Sequence, residues 1–453
     1  MAQTIAAIAT PAAAGGISVI RISGSDALTI ADRVFSAKNG IPLSGRRGYT
    51  AALGAVVHHG EVLDEAVATV FNEPHSYTGE NVVEISCHGG LYLTQEILRV
   101  ILENGARLAE AGEFTKRAFL NGKMSLSQAE AVMDLIGAQG REAARAAHTQ
   151  LSGALFRQIT AVKDALLKLA GHLSAWVDYP EEEIPEVDEE EILLTAGESS
   201  KTLRTLLSQF DTGKLIREGI DTVIVGKPNV GKSTLMNLLS RCERSIVTDV
   251  AGTTRDIVEE TVRLGHLALR VADTAGIRET EDVVEQIGVS LAKRRMQEAS
   301  LVLAVFDGSS EWSPEDEEIL PAALQPSIAV VNKSDLPAVT DLEKIKQAFS
   351  HMVVLSATDP ESLAVLEREI RETLNLSAVD PFAPMLSNER QRLCAMRAAD
   401  ALEQAQTAVR AGVTFDAVTV LIEEAIDALL ELTGERTTDA VVDAVFANFC
   451  VGK

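Results

Sequence analysis

The stretch Gly226-Lys227-Pro228-Asn229-Val230-Gly231-Lys232-Ser233, continued by Thr234, has the spacing G-x-x-x-x-G-K-S. Glycines at those positions let a backbone curl until its N–H groups converge, and convergent N–H groups at a helix start bind anions. Lys232 is spaced to reach the β- and γ-phosphates of a nucleotide, and the Ser233 hydroxyl to ligate Mg2+. The spacing alone recurs by chance in long chains. Here three further elements follow in order: Asp273-Thr274-Ala275-Gly276, Asn332-Lys333-Ser334-Asp335 and Ser356-Ala357-Thr358. Asp273 is placed to support the metal through water, and Gly276 to offer its N–H to the γ-phosphate. Asn332 and Asp335 select the base. A carboxylate accepts from guanine N1–H and the exocyclic amine, whereas adenine would leave it unpaired in a dry pocket. Lys333 is placed to pack along that base. Four such elements, each at the end of an apolar run, point to a guanine nucleotide.

Between the loop and Asp273 lies Thr248-Asp249-Val250-Ala251-Gly252-Thr253-Thr254-Arg255-Asp256, a short, hydroxyl-rich segment with the character of a switch loop. Thr254 is the candidate to complete the Mg2+ shell in the triphosphate state. Many GTPases place a glutamine just after the Asp-x-x-Gly element to orient the attacking water. Here Ile277 occupies that position and cannot hydrogen-bond water. Glu285 is the candidate for that role. Positive charge at the phosphates could come from Arg255, Arg278, or a monovalent cation held by Asn229 and loop carbonyls.

Apolar runs that end in these loops are expected to be buried parallel strands: Asp221–Val225, Leu267–Ala272, Leu301–Phe306, Ser327–Val331 and Val353–Leu355. Residues 1–120 read as mixed α/β, with strands at Ile17–Ile22 and Asn81–Ser86 and helical spacing from Leu28 to Phe35. Residues 121–217 turn helical, as at Ser127–Ile136 and Leu151–Leu173, with an acidic loop or helix start at 181–191. After Pro381 the chain is helical again over Leu393–Val409 and Ala417–Leu432. The economical picture is one discontinuous all-α domain (121–217 and 379–453) with a nucleotide domain (218–378) inserted, since a lone two-helix tail would bury little surface.

Composition narrows the partners. Of 453 residues, 46% are hydrophobic and 24% charged, as in soluble globular chains. A net charge of −25 argues against a broad basic nucleic-acid surface, and 4% aromatics against a base-stacking platform. Cys87, Cys242, Cys394 and Cys450 form no C-x-x-C pair, which fits a reducing cytoplasm. No apolar run is long enough for a membrane span, and no basic segment precedes an apolar one as in a signal peptide.

The chain closely resembles the MnmE (TrmE) family of tRNA modification GTPases. The resemblance is carried by Thr4-Ile5-Ala6-Ala7-Ile8-Ala9-Thr10-Pro11, by Ser76-Tyr77-Thr78-Gly79-Glu80 and by His88-Gly89-Gly90. It continues through Gly112-Glu113-Phe114-Thr115-Lys116-Arg117-Ala118-Phe119-Leu120-Asn121-Gly122-Lys123, Gly252-Thr253-Thr254-Arg255-Asp256 and the ending Phe449-Cys450-Val451-Gly452-Lys453. One departure is Ala12-Ala13-Ala14-Gly15-Gly16, where the family often has a Pro-Gly-Arg-Gly-Gly-type run.

The resemblance implies an N-terminal folate-binding-like and dimerisation domain (1–120), the discontinuous helical domain, and a Ras-like P-loop GTPase domain. It implies a homodimer, K+ held by Asn229, Thr248, Val250 and Thr253, and Glu285 orienting water. It further implies a heterotetramer with the FAD-dependent partner MnmG. With tRNA bound, that complex would add an aminomethyl or carboxymethylaminomethyl group to C5 of the wobble uridine. A 5-formyl-tetrahydrofolate-type donor would bind near Arg21, Glu84, Lys123 and Lys453, with Cys450 taking part in the modification. Taken as residues alone, Arg21 is an exposed strand residue, Glu84 and Lys123 a surface ion pair, and Cys450 a small buried residue. Two other functions also fit a GTPase core: a ribosome-assembly switch without modification chemistry, and a helical scaffold using GTP for shape change. The first usually carries a basic RNA-binding appendage, and no KH-type G-x-x-G in basic surroundings follows the GTPase segment.

Overall fold

The computed structural model describes residues 3–178, 188–240, 259–272, 296–378, 380–447 and 449–453. The chain falls into two compact units, residues 1–133 with 427–453, and residues 134–426. Residues 427–453 therefore group with the N-terminal unit. Among the described residues no helix is long and apolar enough to cross a membrane.

The first unit is built on a seven-stranded sheet of β1 (Ile5–Ile8), β2 (Ile17–Ser23), β3 (Phe35–Ala37), β4 (Thr50–His58), β5 (Glu61–Phe71), β6 (Val82–His88) and β7 (Arg107–Leu108), in the order β3-β4-β5-β6-β2-β1-β7. All neighbours pair antiparallel except β1 and β7. Period-two alternation sends Ile20 and Ile22 of β2, and Val83 and Ile85 of β6, into one core. Helices α1 (Ala27–Val34) and α2 (Leu91–Glu103) close that core through Ile30, Val34, Ile97 and Ile101. Arg21 and Glu84 alternate to the opposite face, where they are cross-strand register partners. On that face Ile5, Ala7, Ala109 and Phe114 form a second, smaller core with Tyr77 against it. Phe114 comes from α3 (Glu113–Leu120), which starts after Gly112 in the left-handed region at φ 65°.

In the second unit the helices α5 (Arg141–Leu151), α6 (Ala154–Asp178), α7 (Glu189–Ser208) and α8 (Phe210–Glu218) follow α4 (Leu126–Gly137), which spans the boundary between units. Asp188 caps α7, accepting from Glu190 N, so the described end of the acidic stretch is a helix start. The face of α7 bearing Ala196, Ser199, Ser200 and Leu203 packs against the later helix Glu389–Arg410, whose buried stripe is Ala395, Ala398, Ala399, Leu402 and Ala405. Small residues on both faces let the axes approach closely, and Arg204 ties the seam to Asp400 at 2.6 Å and Glu403 at 2.8 Å.

The sheet of the second unit has six strands, in the order β13-β12-β11-β8-β10-β9: β8 (Ile220–Val225), β9 (Glu259–Leu264), β10 (Leu267–Ala272), β11 (Leu301–Asp307), β12 (Ser327–Asn332) and β13 (Met352–Val354). All pairs are parallel except β10 with β9, an edge strand that the apolar-run reading leaves out. Every residue of β12, and all of β11 except Asp307, is buried, which is why these strands read as unbroken apolar runs. Parallel pairing brings the carboxyl ends of β8, β10, β11, β12 and β13 to one edge.

Candidate functional site

At that edge β8 runs into Gly226–Gly231, and α9 (Lys232–Ser240) begins where the loop ends. The curl needs two residues at positive φ, Asn229 at 64° and Gly231 at 100°. A Cβ on Gly231 would stand 2.2 Å from Asn332 Nδ2, so close packing as well as torsion demands glycine there. Lys232 folds back over the loop, donating to the carbonyls of Gly226 at 2.6 Å and Lys227 at 2.8 Å. Burial lowers the pKa of this ammonium. A phosphate offered in place of those carbonyls would supply the anion that a half-buried ammonium lacks. Ser233 and Thr234 are exposed on the first turn of α9, so the Ser233 hydroxyl is open to a hydrated metal.

Asn332 is 3% exposed and joins two loops. Its Nδ2 donates to Val230 O at 2.8 Å, and its Oδ1 accepts from Ala357 N at 2.9 Å. Asp335, exposed, accepts from Ser356 Oγ at 2.7 Å, and Ser356 Oγ lies 2.8 Å from Thr358 Oγ1. Ser334 N donates to Leu355 O at 3.2 Å, which lays the loops that follow β12 and β13 together. Lys333, at φ 66°, donates from Nζ to Asp307 Oδ2 at 2.6 Å. Burial alone would raise the Asp307 pKa, but hydrogen bonds from Lys333 and Ser309 outweigh it and hold the carboxyl below its usual range. Asp307 escaped the motif reading. The signal that finds it is its place as the last residue of β11, on the same carboxyl edge.

A second constellation lies in the first unit. Arg21 Nε donates to Glu84 Oε1 at 2.8 Å, and Arg21 Nη1 to Gly452 O at 3.2 Å. The guanidinium carbon is 5.5 Å from the ring centroids of both Tyr77 and Phe114. Burial raises the Tyr77 phenol pKa, and its hydroxyl sits 2.9 Å from Thr115 Oγ1. The C-terminal tail reaches Arg21 because it docks beside α3. Gly112 N donates to Cys450 O at 3.3 Å, Phe114 N to Lys453 O at 3.2 Å, and Val451 bridges to Ala111. Gly452 passes so close to β1 that a Cβ would stand 2.4 Å from Ile8 O. Beneath lies an ion network. Arg117 donates to Glu80 at 3.1 Å, to Glu113 at 2.9 Å and to Gln3 O at 2.7 Å, and Arg107 donates to Glu113 at 2.8 Å.

The simple residue readings change here. Glu84 pairs with its strand neighbour Arg21 and not with Lys123, whose ammonium donates to Pro74 O at 2.9 Å. Arg21 is not an exposed strand residue, its side chain being 15% accessible under the aromatic rings. Cys450 is exposed rather than buried, because the tail lies over α3 instead of inside a core. Arg21, Glu84 and the backbone of the Cys450–Lys453 tail come together, while Lys123 packs beside Gly79. Thr248, Asp249, Val250, Ala251, Gly252, Thr253, Thr254, Asp273, Thr274, Ala275, Gly276 and Glu285 lie outside the described residues.

Comparison with known proteins covers the whole chain. The family profile described as the GTP-binding protein TrmE N-terminus matches residues 4–123, and that of the MnmE helical domain matches 126–450. A tRNA modification GTPase MnmE of Symbiobacterium thermophilum is 42% identical over 456 residues, covering 100% of this chain and 99% of its own. Proteins of the same name from Thermoanaerobacter sp. and Lactococcus lactis subsp. cremoris are each 40% identical, covering 100% of this chain and 99% and 98% of theirs. Among solved structures, Era with MgGDPNP and a 16S ribosomal RNA fragment aligns with 40% of this chain and 66% of its own at 28% identity. Its TM-score of 0.27 is too low for comparing architectures.

Proposed function

The chain belongs to the MnmE (TrmE) family of tRNA modification GTPases, and from that premise we propose that it hydrolyses GTP in the service of wobble-uridine modification. The observation that carries the nucleotide part is Asn332. One buried side chain bonds both the phosphate loop, at 2.8 Å, and the loop of Ala357, at 2.9 Å, so phosphate and base recognition are built as one piece.

In this reading Asn229–Thr234 cradle the phosphates. Asp335 accepts from the guanine edge, Ser356 orients that carboxylate, and the Ala357 and Thr358 backbone closes over the base. Mg2+ and K+ would supply positive charge that offsets the charge spreading over the phosphate oxygens. The exposed Ser233 hydroxyl fits Mg2+, with Thr254 as the second ligand. Asn229, held at positive φ with its side chain exposed, fits K+, with Thr248, Val250 and Thr253 completing the site. Asp273 and Gly276 serve the metal and the γ-phosphate, and Glu285 orients water.

The second constellation supports a folate role. Glu84 and Gly452 O are acceptors beside Arg21 donors, next to the Tyr77 and Phe114 rings, and such a set suits a flat heterocycle with adjacent N–H groups. Lys123 and Lys453 would meet its carboxylates, and exposed Cys450 would stand at its rim. Homodimerisation through the N-terminal unit is supported by the open sheet face, where the register partners Leu53 and Val67 are 51% and 37% exposed. The proposal extends to the FAD-dependent partner MnmG, to tRNA as substrate, to a cytoplasmic setting, and to domain limits of 1–120, 121–217, 218–378 and 379–453.

GTP turnover in KCl and in NaCl at equal ionic strength tests the enzyme directly. Faster turnover in KCl is expected. Equal rates refute the K+ role, and no turnover in either salt refutes the GTPase.

A further inference from the structure

The side chain of Lys227, inside the phosphate-binding loop, ends on the turn that follows β11. Its Nζ is 2.7 Å from Asp316 Oδ2 and 3.1 Å from Ser313 Oγ. The pair is nearly out of water, with side chains 13% and 4% exposed. Asp316 Oδ2 also accepts from Ser313 N and Ser313 Oγ, both at 2.9 Å, so one oxygen holds three donors. Ser313 and Asp316 form a capping box on the one-turn helix Pro314–Glu317. That turn is fixed to the sheet by Trp312, whose ring stacks on Phe306 of β11 at 5.9 Å between centroids. The carbonyl of Lys227 in turn accepts from Lys232 at 2.8 Å. A continuous line therefore runs from the buried strand β11, through Asp316 and Lys227, to the ammonium that reads the phosphates.

We propose that Asp316 is a positioning residue for guanine-nucleotide binding, acting through Lys227 to hold the phosphate loop in its curled form. The proposal rests on the nucleotide reading above. A glycine-containing loop loses conformational freedom when it closes on a ligand, and a loop ordered beforehand has less to lose. Lys227 reaches away to Asp316, so it orders the loop without standing in the nucleotide's place. An exposed ion pair would do this poorly. This one is desolvated, and removing either partner leaves the other buried without its counter-charge.

The test is a double-mutant cycle on binding of mant-GDP to the full chain, using Lys227→Met, Asp316→Asn and both together. Each single change is expected to raise the Kd about tenfold, equivalent to about 1.4 kcal/mol. The double variant is expected to show about the same tenfold loss, because the second change removes a contact already gone. A loss in the double equal to the product of the single losses would mean independent structural damage and overturn the proposal. So would single variants within about twofold of wild type. Lys227→Met leaves Asp316 with both Ser313 donors, so it carries the test alone if Asp316→Asn does not fold. Wild type that fails to bind mant-GDP would sink the nucleotide reading, and this proposal with it.

Discussion

Asn332→Ala should damage the protein before any nucleotide is added. The side chain is 3% exposed and satisfies two backbone groups, the carbonyl of Val230 and the N–H of Ala357. Truncation strands both. A buried group left without its partner costs ~1–3 kcal/mol, so two give roughly 2–6 kcal/mol. Water entering the vacated space lowers this, and ~3 kcal/mol is the expected loss. Urea unfolding of the nucleotide-free protein, followed by Trp312 emission in a Trp176→Phe background, measures it locally, because Trp312 stacks on Phe306 of β11. With a urea slope of ~2 kcal/mol per M, the midpoint should fall by on the order of 1.5 M. Asp335→Ala is the control. Asp335 is exposed, so its removal should shift stability by less than ~0.5 kcal/mol while guanine selectivity falls. An unchanged midpoint for Asn332→Ala, with nucleotide affinity lost, would mean that Asn332 acts only on the base and does not splice the two loops.

Asp335→Asn should relax guanine preference, seen as improved competition by xanthosine nucleotides; unchanged selectivity would mean the base pocket lies elsewhere. Glu285→Ala should lower turnover and leave GTP affinity near wild type, since it is assigned to water and not to the nucleotide; a large loss of binding contradicts the assignment. In acid, Glu113 should matter. Burial would raise its carboxyl pKa, but hydrogen bonds from Arg107, Glu110 N and Arg117 prevail and lower it. A folded-state value below the unfolded ~4.3 means that its stabilisation is complete above ~4.3 and fades as pH falls through the folded value. Glu113→Gln should therefore flatten the acid side of the stability–pH curve, and an unchanged slope there would refute the ion network's role.

Sites whose chemistry is local were legible. Gly226–Ser233, Asn332–Asp335 and Ser356–Thr358 stand out because they carry fixed residue types at fixed spacing at the ends of strands that burial makes apolar, and the structure joins them through Asn332, Ser334 and Ser356. Contacts between distant segments were not. Nothing near Lys227 foretells Asp316, and nothing near Asn332 foretells the carbonyl of Val230, since parallel pairing of β8, β11 and β12 creates both meetings. Strand β4 was missed for another reason. Its run Thr50-Ala51-Ala52-Leu53-Gly54-Ala55 has weak strand propensity. Yet Gly54 is required, since a Cβ there would stand 2.3 Å from Ser36 O on β3. Cys450 read as buried because cysteine usually is; the tail's hydrogen bonds to Gly112 and Phe114, set by tertiary docking, expose it.

Mass spectrometry of tRNA nucleosides shows whether GTP hydrolysis by this chain serves tRNA modification. The host would lack its own homologous protein and be complemented with wild type, Lys232→Ala or Cys450→Ser. Wild type should restore 5-aminomethyl-type wobble uridines, and neither variant should. Full modification without any copy, or equal restoration by Lys232→Ala, would contradict a role for GTP hydrolysis in tRNA modification.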